Sequence, residues 1–99
     1  ADQYSGSVAT SSDPEIRFLQ ALADPVRLRL LSLIAAYDDG EACVCNLNEA
    51  FDLSQPTISH HLKKLVDAGL LTRDQRGKWA HYSVVHETFV DLRRFLDLT

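Results

Sequence analysis

Two cysteines are the strongest candidates for chemistry in this sequence, because Cys43 and Cys45 are separated by a single residue. A disulfide between such near neighbours would close a small, strained ring. The first residues lack a basic patch followed by an apolar stretch, so we expect no secretory signal, a reducing cytoplasmic compartment and free thiols. Thiolates prefer soft ions, and the pair is therefore predicted to bind a thiophilic metal or metalloid.

The one-residue spacing also constrains the backbone at this pair. On a regular helix, residues i and i+2 point about 200° apart, so their sulfur atoms cannot share one ion. In an extended or turn segment they converge, and a shared ion would therefore favour a non-helical backbone at Cys43–Cys45. Two alternatives stay open: a redox sensor that works through a disulfide, and a pair of small buried residues with no sensing role.

The distribution of charge suggests an anionic partner for one part of the chain. The 99 residues carry a net charge of −4 and a pI of about 5.4, which argues against a general nucleic-acid binder. Residues 54–82, however, hold five basic and two acidic residues and three of the four histidines, whereas residues 1–53 hold three basic and nine acidic ones. The composition, 45% hydrophobic and 24% charged, is typical of a globular domain, and no apolar run is long enough to cross a membrane.

Local signals predict the elements that position these residues. Capping residues mark four helix starts, at Asp13, Asp24, Asn46 (with Glu49 three residues later) and Ser54. The strand-like runs 70–74 and 79–84 flank Gly77 and predict a hairpin, after which a helical period returns at His86. We therefore expect a flexible arm over residues 1–12 and one domain over 13–99. Its predicted fold is mainly α with a small β-hairpin, a winged helix-turn-helix of order α-α-α-α-β-β-α.

Four segments carry a resemblance to a known family. They are residues 22–34 (LADPVRLRLLSLI), 43–47 (CVCNL), 53–71 (LSQPTISHHLKKLVDAGLL) and 76–84 (RGKWAHYSV). They resemble, in order, the second helix, the metal-binding box, the DNA-binding helix and the wing of the ArsR/SmtB family of metal-responsive winged-helix repressors. The box resembles that of the arsenic-sensing branch.

The resemblance implies an inducer but also shows a departure from the family pattern. It implies release from DNA by As(III) or Sb(III), with Cd(II), Pb(II) or Zn(II) as alternatives. Arsenic sensors of this branch often have a third cysteine where this chain has Asn48, so a third ligand would be water, hydroxide or a small thiol. The zinc-sensing branch places ligands along the last helix, where this chain has only His86 and Glu87, and we expect that site to be absent.

The helix from Gln55 to about Ala68 is expected to read DNA. Its apolar residues face inward, and its opposite face carries groups that bond to base edges or neutralise phosphates. The predicted contacts of this helix and of the hairpin tip are Ser54, Gln55, Thr57, Ser59, His60, His61, Lys63, Lys64, Arg76 and Lys78. The alternative is an ordinary solvated face. His61 fits packing at the helix flank equally well, and Trp79 is expected to pack within the hairpin.

The first and last helices have apolar stripes wider than one small core needs, including Phe18, Phe89, Phe95 and Leu98. The resemblance implies a homodimer through these helices, which would present two recognition helices to inverted-repeat half-sites of duplex operator DNA.

No phosphate loop, nucleophile–base motif or carboxylate pair is present, so we expect neither an enzyme nor an organic cofactor. Other readings are the same repressor with a redox trigger or without a metal response, and a protein-binding module, which the basic segment disfavours.

Overall fold

The computed structural model describes residues 14–97 and contains five helices and three strands. In chain order these are α1 (Pro14–Leu22), α2 (Pro25–Ala36), β1 (Glu41–Cys43), α3 (Val44–Ala50), α4 (Gln55–Asp67), β2 (Leu71–Arg76), β3 (Trp79–Val84) and α5 (His86–Leu96), with a 3₁₀ turn at Asp38–Gly40. Asp13 and the arm proposed for residues 1–12 lie outside the described residues. The expected helices and hairpin are confirmed.

Two helices begin where their capping residues predict. The Asp24 side chain accepts hydrogen bonds from the backbone N–H groups of Val26 and Arg27, and Pro25 occupies the first turn of α2. These bonds, that from Arg27 foremost, lower the pKa of Asp24. Ser54 caps α4 in the same way through the N–H of Thr57. Side-chain acceptors at these positions satisfy N–H groups that the helix itself leaves unpaired.

The start of α3 differs from the expectation. Asn46 is not its N-cap. The cap is Cys43, three residues earlier, and the helix begins at Val44. The backbone N–H of Cys43 donates to Asn46 Oδ1 (3.1 Å), and Cys43 Sγ accepts from the backbone N–H of Cys45 (3.2 Å). Asn46 therefore acts from the third helical position, where a capping box places its acceptor side chain.

A third strand was missed by the sequence analysis. β1 pairs with β3, and β3 pairs with β2, so the sheet is antiparallel in the order β1-β3-β2. The order of elements is therefore α-α-β-α-α-β-β-α. The hairpin turns at Gly77, whose φ of 61° is the left-handed conformation that a two-residue turn needs at its first position.

The core lies between the helices and one face of the sheet. Its fully buried side chains are Leu30, Ile34, Leu47, Ile58, Leu62, Leu65, Leu70 and Leu71. Burial of each side chain of this size contributes about 2 kcal/mol to folding. Three of them lie on the inner face of α4 and pack this helix against the core. Thr88 of α5 adds a hydrogen bond to the carbonyl oxygen of Gly69 (2.6 Å), at the end of α4.

The predicted dimer stripe is only partly exposed. Phe18 is buried in the core of this chain, which corrects its assignment to a second surface, and Phe89 is partly buried against the same core. Phe95 is 51% exposed, and Leu19, Val90 and Leu96 also leave apolar surface on the paired helices α1 and α5. Leu98 lies outside the described residues. No helix within residues 14–97 is long and apolar enough to span a bilayer.

Candidate DNA-binding surface and thiol site

The outer face of α4 presents most of the polar residues that the sequence analysis selected. Gln55, Ser59, His60, Lys63 and Lys64 are all exposed. The opposite face is buried through Ile58, Leu62 and Leu65, whose relative exposure is zero. One face of the helix thus packs against the core, and the opposite face exposes hydrogen-bond donors, acceptors and cations. Contacts with bases and phosphates require this arrangement.

Some of these residues already have partners within the chain. Lys63 Nζ lies 2.9 Å from Asp67 Oδ2 in an exposed ion pair one helical turn apart. The hydroxyl groups of Ser54 and Thr57 lie 2.8 Å apart at the helix cap. Because isolated exposed pairs of this kind are weak, they do not prevent a contact with DNA. They determine the positions of these side chains before DNA binds.

His61 is the half-buried member of the set. It lies on the flank of α4 that faces α2, where Arg27 Nη1 is 3.3 Å from its Nδ1. Arg27 Nε also donates to the carbonyl oxygen of Ala21 at the end of α1 (2.6 Å). A guanidinium can only donate, so this contact requires Nδ1 of His61 to be the acceptor. The contact with Arg27 therefore positions His61 at this flank and uses one of its two ring nitrogens.

A polar cavity of about 200 Å³ separates α4 from the wing. Its lining includes Gln55 and Ser59 from the helix and Arg73, Gln75, Lys78 and Trp79 from the hairpin. Trp79, which was expected to pack within the hairpin, is 48% exposed. Arg73 donates to Gln75 Oε1 (2.6 Å), and Gln75 Nε2 donates to the carbonyl oxygen of Gly77 (3.0 Å). Gln75 was not among the predicted site residues, although the alternation of β2 places it on the same side as Arg73 and Gly77.

The two cations predicted at the wing tip have different surroundings. Lys78 is exposed in the turn and has no ion pair within the described part of the chain. Arg76 pairs with Glu41 through two bonds of 2.8 and 2.9 Å, and with Asp74 through one of 2.8 Å. The Arg76 hydrogen bonds, followed by one from Ser83, lower the pKa of Glu41. The hydrogen bonds to Glu41 and Asp74 raise the pKa of Arg76 in turn.

The thiol site lies where β1 becomes α3. The structure joins Cys43 and Cys45 in a disulfide, with their Cα atoms 5.2 Å apart, so the expectation of free thiols is wrong for this form of the chain. The sulfur atoms converge because Cys43 has an extended backbone (φ −75°, ψ 145°) and Cys45 lies in the first turn of α3. The non-helical backbone expected over Cys43–Cys45 is present at Cys43 only, because Val44 and Cys45 already belong to α3.

One histidine that was not predicted to lie near the thiol pair is next to Cys43 in the sheet. His81 of β3 is the direct cross-strand partner of Cys43, and Asp74 of β2 is the partner of His81 on the other side. Among residues 14–97 no three His, Cys, Asp or Glu side chains form a cluster able to hold a metal ion.

Comparison with known proteins agrees with this arrangement. Residues 24–73 match the family model for bacterial regulatory proteins of the arsR family. The arsenical resistance operon repressor of Staphylococcus xylosus is 42% identical over 80 residues, which are 81% of this chain and 74% of that protein. The chain belongs to the arsR family. An arsenic resistance transcriptional regulator of Pseudomonas putida is 48% identical over 69 residues, 70% of this chain, but the match spans only 52% of that protein.

Solved structures of arsR family regulators share the fold. The crystal structure of one ArsR family transcriptional regulator superposes with a TM-score of 0.75 at 27% identity, covering 85% of this chain and 84% of that one. A homodimeric winged helix-turn-helix DNA-binding domain from Mycobacterium bovis, a possible ArsR-family regulator, gives 0.70 at 25% identity, with 92% and 87% covered. The fold is therefore a winged helix, in a family of transcriptional regulators.

Proposed function

We propose that this chain is a transcriptional repressor that binds duplex operator DNA through α4 and the wing. The observation that carries the proposal is the outer face of α4, where His60 and Lys64 are exposed above a fully buried apolar back. Cations on this face would bind phosphates, and Gln55, Ser59 and His60 would bond to base edges in the major groove. The family, and the names of its arsenical resistance members, support this function.

We propose further that a thiophilic metalloid, As(III) or Sb(III), bound by Cys43 and Cys45 releases the repressor from DNA. The two sulfur atoms converge, and once reduced to thiolates they offer two soft ligands. Water, hydroxide or a small thiol would supply the third position. Cd(II), Pb(II) and Zn(II) are the alternative ions for the same pair.

The position of Cys43 supplies a route from the thiol site to DNA. Cys43 ends β1 and caps α3, through its own N–H to Asn46 and its sulfur to the N–H of Cys45. An ion that takes the sulfur as a ligand competes with this cap. Since α3 packs against α4, a shift of α3 would tilt the DNA-reading helix.

A second copy of the chain would complete the DNA-binding unit. The apolar residues that α1 and α5 leave exposed, Leu19, Val90, Phe95 and Leu96, support a homodimer through these helices. A two-fold dimer would place two copies of α4 on half-sites about one DNA turn apart, as an inverted repeat.

Operator binding tests the DNA part of the proposal. The reduced protein is titrated onto labelled duplex DNA from upstream of its own gene at several salt concentrations. Lys64→Gln is expected to make the logarithmic salt slope shallower by about 0.9, the contribution of one phosphate contact. Arg29→Gln, which removes an exposed cation from α2, should leave the slope unchanged. Binding that is absent, or that ignores salt, would contradict the proposal.

Thiol counting tests the sensor part separately. After reduction, the wild type should show two reactive thiols, and a stoichiometric amount of arsenite should protect both. In Cys43→Ser the remaining thiol should stay reactive, because one sulfur holds the ion poorly. Unprotected thiols in the wild type would remove the metalloid from the proposal and leave the DNA-binding function standing.

The disulfide favours a redox trigger as a second candidate. Two thiols would lose two electrons and two protons to an oxidant such as hydrogen peroxide, which becomes water, and the bond of the structure would form. Oxidised and reduced protein should then differ in operator affinity without any metalloid. Equal affinities would exclude this trigger.

A further inference from the structure

The side chain of Arg76 does not extend beyond the tip of the wing. In the sheet, Arg76 pairs with Trp79, next to the turn. Glu41, which binds its guanidinium, pairs with Ser83 four residues further along β3. The Arg76 side chain must therefore run back along the outer face of the sheet, from the tip towards the base. This direction is the opposite of the one that a contact with DNA at the tip requires.

All three nitrogens of the guanidinium bind carboxylates. Nη1 and Nη2 donate to the two oxygens of Glu41 at 2.8 and 2.9 Å, and Nε donates to Asp74 at 2.8 Å. The paired bonds to Glu41 have the bidentate geometry with which arginine also binds a phosphate. Glu41 is itself held by a hydrogen bond from the hydroxyl of Ser83 (3.0 Å). The carboxylate thus occupies the face of Arg76 that a phosphate would use.

We infer that Glu41 is a positioning residue that keeps Arg76 away from DNA. Of the two cations at the wing tip, Lys78 then binds phosphate and Arg76 does not. The inference rests on the proposed DNA-binding function. The side chains of Arg76 and Glu41 are 49% and 30% exposed, against 73% and 59% for Lys63 and Asp67. A bidentate pair that belongs to a network of charges competes with a phosphate better than an isolated exposed pair does. A neutral residue in place of Glu41 removes this bidentate partner and leaves the guanidinium with one bond to the exposed Asp74, so that a phosphate can take the place of Glu41.

Glu41→Gln provides the direct test, because glutamine keeps the length of the side chain and an acceptor for Ser83. Binding of the reduced protein to labelled duplex DNA is measured between 50 and 200 mM salt. One added phosphate contact steepens the logarithmic salt slope by about 0.9, so the gain in affinity over the wild type should grow about threefold from the high to the low salt concentration. Arg76→Gln should leave the slope of the wild type unchanged, whereas Lys78→Gln should make it shallower.

Two further variants separate the release of Arg76 from other causes. Glu41→Gln/Arg76→Gln should return to the wild-type slope, since no guanidinium is left to reach DNA. Asp39→Asn removes an acidic charge two residues from Glu41, at a residue with φ 61° that asparagine tolerates. It should not reproduce the effect of Glu41→Gln.

The inference is overturned if Glu41→Gln leaves the slope unchanged, if Arg76→Gln makes it shallower, or if Asp39→Asn has the same effect as Glu41→Gln. Thermal unfolding of each variant shows whether the domain stays folded; an effect of Glu41→Gln that persists in the double variant also overturns the inference, because it would come from a distorted wing. If the wild type binds no DNA, the proposed function itself fails, and that result is distinct from all of these.

Discussion

Cys43 and Asn46 hold the start of α3 between them. The backbone N–H of Cys43 donates to Asn46 Oδ1 at 3.1 Å, and the sulfur of Cys43 accepts from the N–H of Cys45 at 3.2 Å. One of the two candidate sensor residues is thereby also a structural cap. A change at the Cys43 sulfur therefore alters the cap of α3, the helix that packs against α4.

Removal of the reciprocal cap should weaken the domain. Asn46→Ala leaves the N–H of Cys43 without its acceptor, and we expect a loss of about 1 kcal/mol in the free energy of unfolding. Urea unfolding measures it. Glu49→Ala is the control, because Glu49 is exposed and takes no part in the observed cap. Equal losses in the two variants would mean that the cap contributes nothing specific.

The contact between Arg27 and His61 predicts a tautomer. Because Arg27 can only donate to Nδ1, neutral His61 should carry its proton on Nε2. The ¹⁵N chemical shifts of the ring report this, and Arg27→Gln should reduce the preference. His60, exposed on the same helix, serves as the internal reference. A ring of His61 protonated on Nδ1 in the wild type would show that the contact does not exist in solution.

The apolar surface of α5 predicts the oligomeric state. Val90→Glu places a charge on this surface and should convert a dimer into a monomer, as measured by light scattering after size exclusion. Leu28→Glu is a matched control, since Leu28 on α2 is also 49% exposed, like Val90. The control should leave the mass unchanged. A wild-type monomer, or dissociation by Leu28→Glu alone, would contradict an interface through α1 and α5.

The pair of Glu41 and Arg76 predicts a dependence of stability on pH. Hydrogen bonds from Arg76 lower the pKa of Glu41 in the folded chain. Such a group contributes stability above its ordinary pKa and loses it as the pH falls through the lowered one. The melting temperature of the wild type should therefore exceed that of Glu41→Gln at neutral pH, and the difference should disappear in acid. A difference that grows as the pH falls would contradict the pairing.

The starts of α2 and α4 and the hairpin were predictable from sequence because their causes are local. Asp24 and Ser54 accept N–H bonds from residues two or three positions away, and Gly77 adopts the positive φ that the turn needs. The helical spacing of the apolar residues in α4 also predicted which of its side chains are buried. Each of these signals lies within one or two turns of chain.

The parts that sequence analysis missed depend on partners far away in the chain. β1 has only three residues, and its partner β3 begins 36 residues after β1 ends. Without β1, neither the cross-strand register of Cys43 with His81 nor the ion pair of Arg76 with Glu41 could be predicted. The same applies to Phe18, which looked like interface surface but is buried in the core of this chain.

The central claim, that ligand binding at the thiol pair controls DNA binding, is tested most directly by fluorescence anisotropy. The reduced protein is bound to DNA from upstream of its own gene and titrated with arsenite, then with cadmium and zinc, for the wild type and for Cys43→Ser. Serine is itself a favourable N-cap, so the variant removes the sulfur while preserving α3. We predict that arsenite releases the wild type and leaves Cys43→Ser bound. Retention of both proteins on the DNA with every ion would contradict the account.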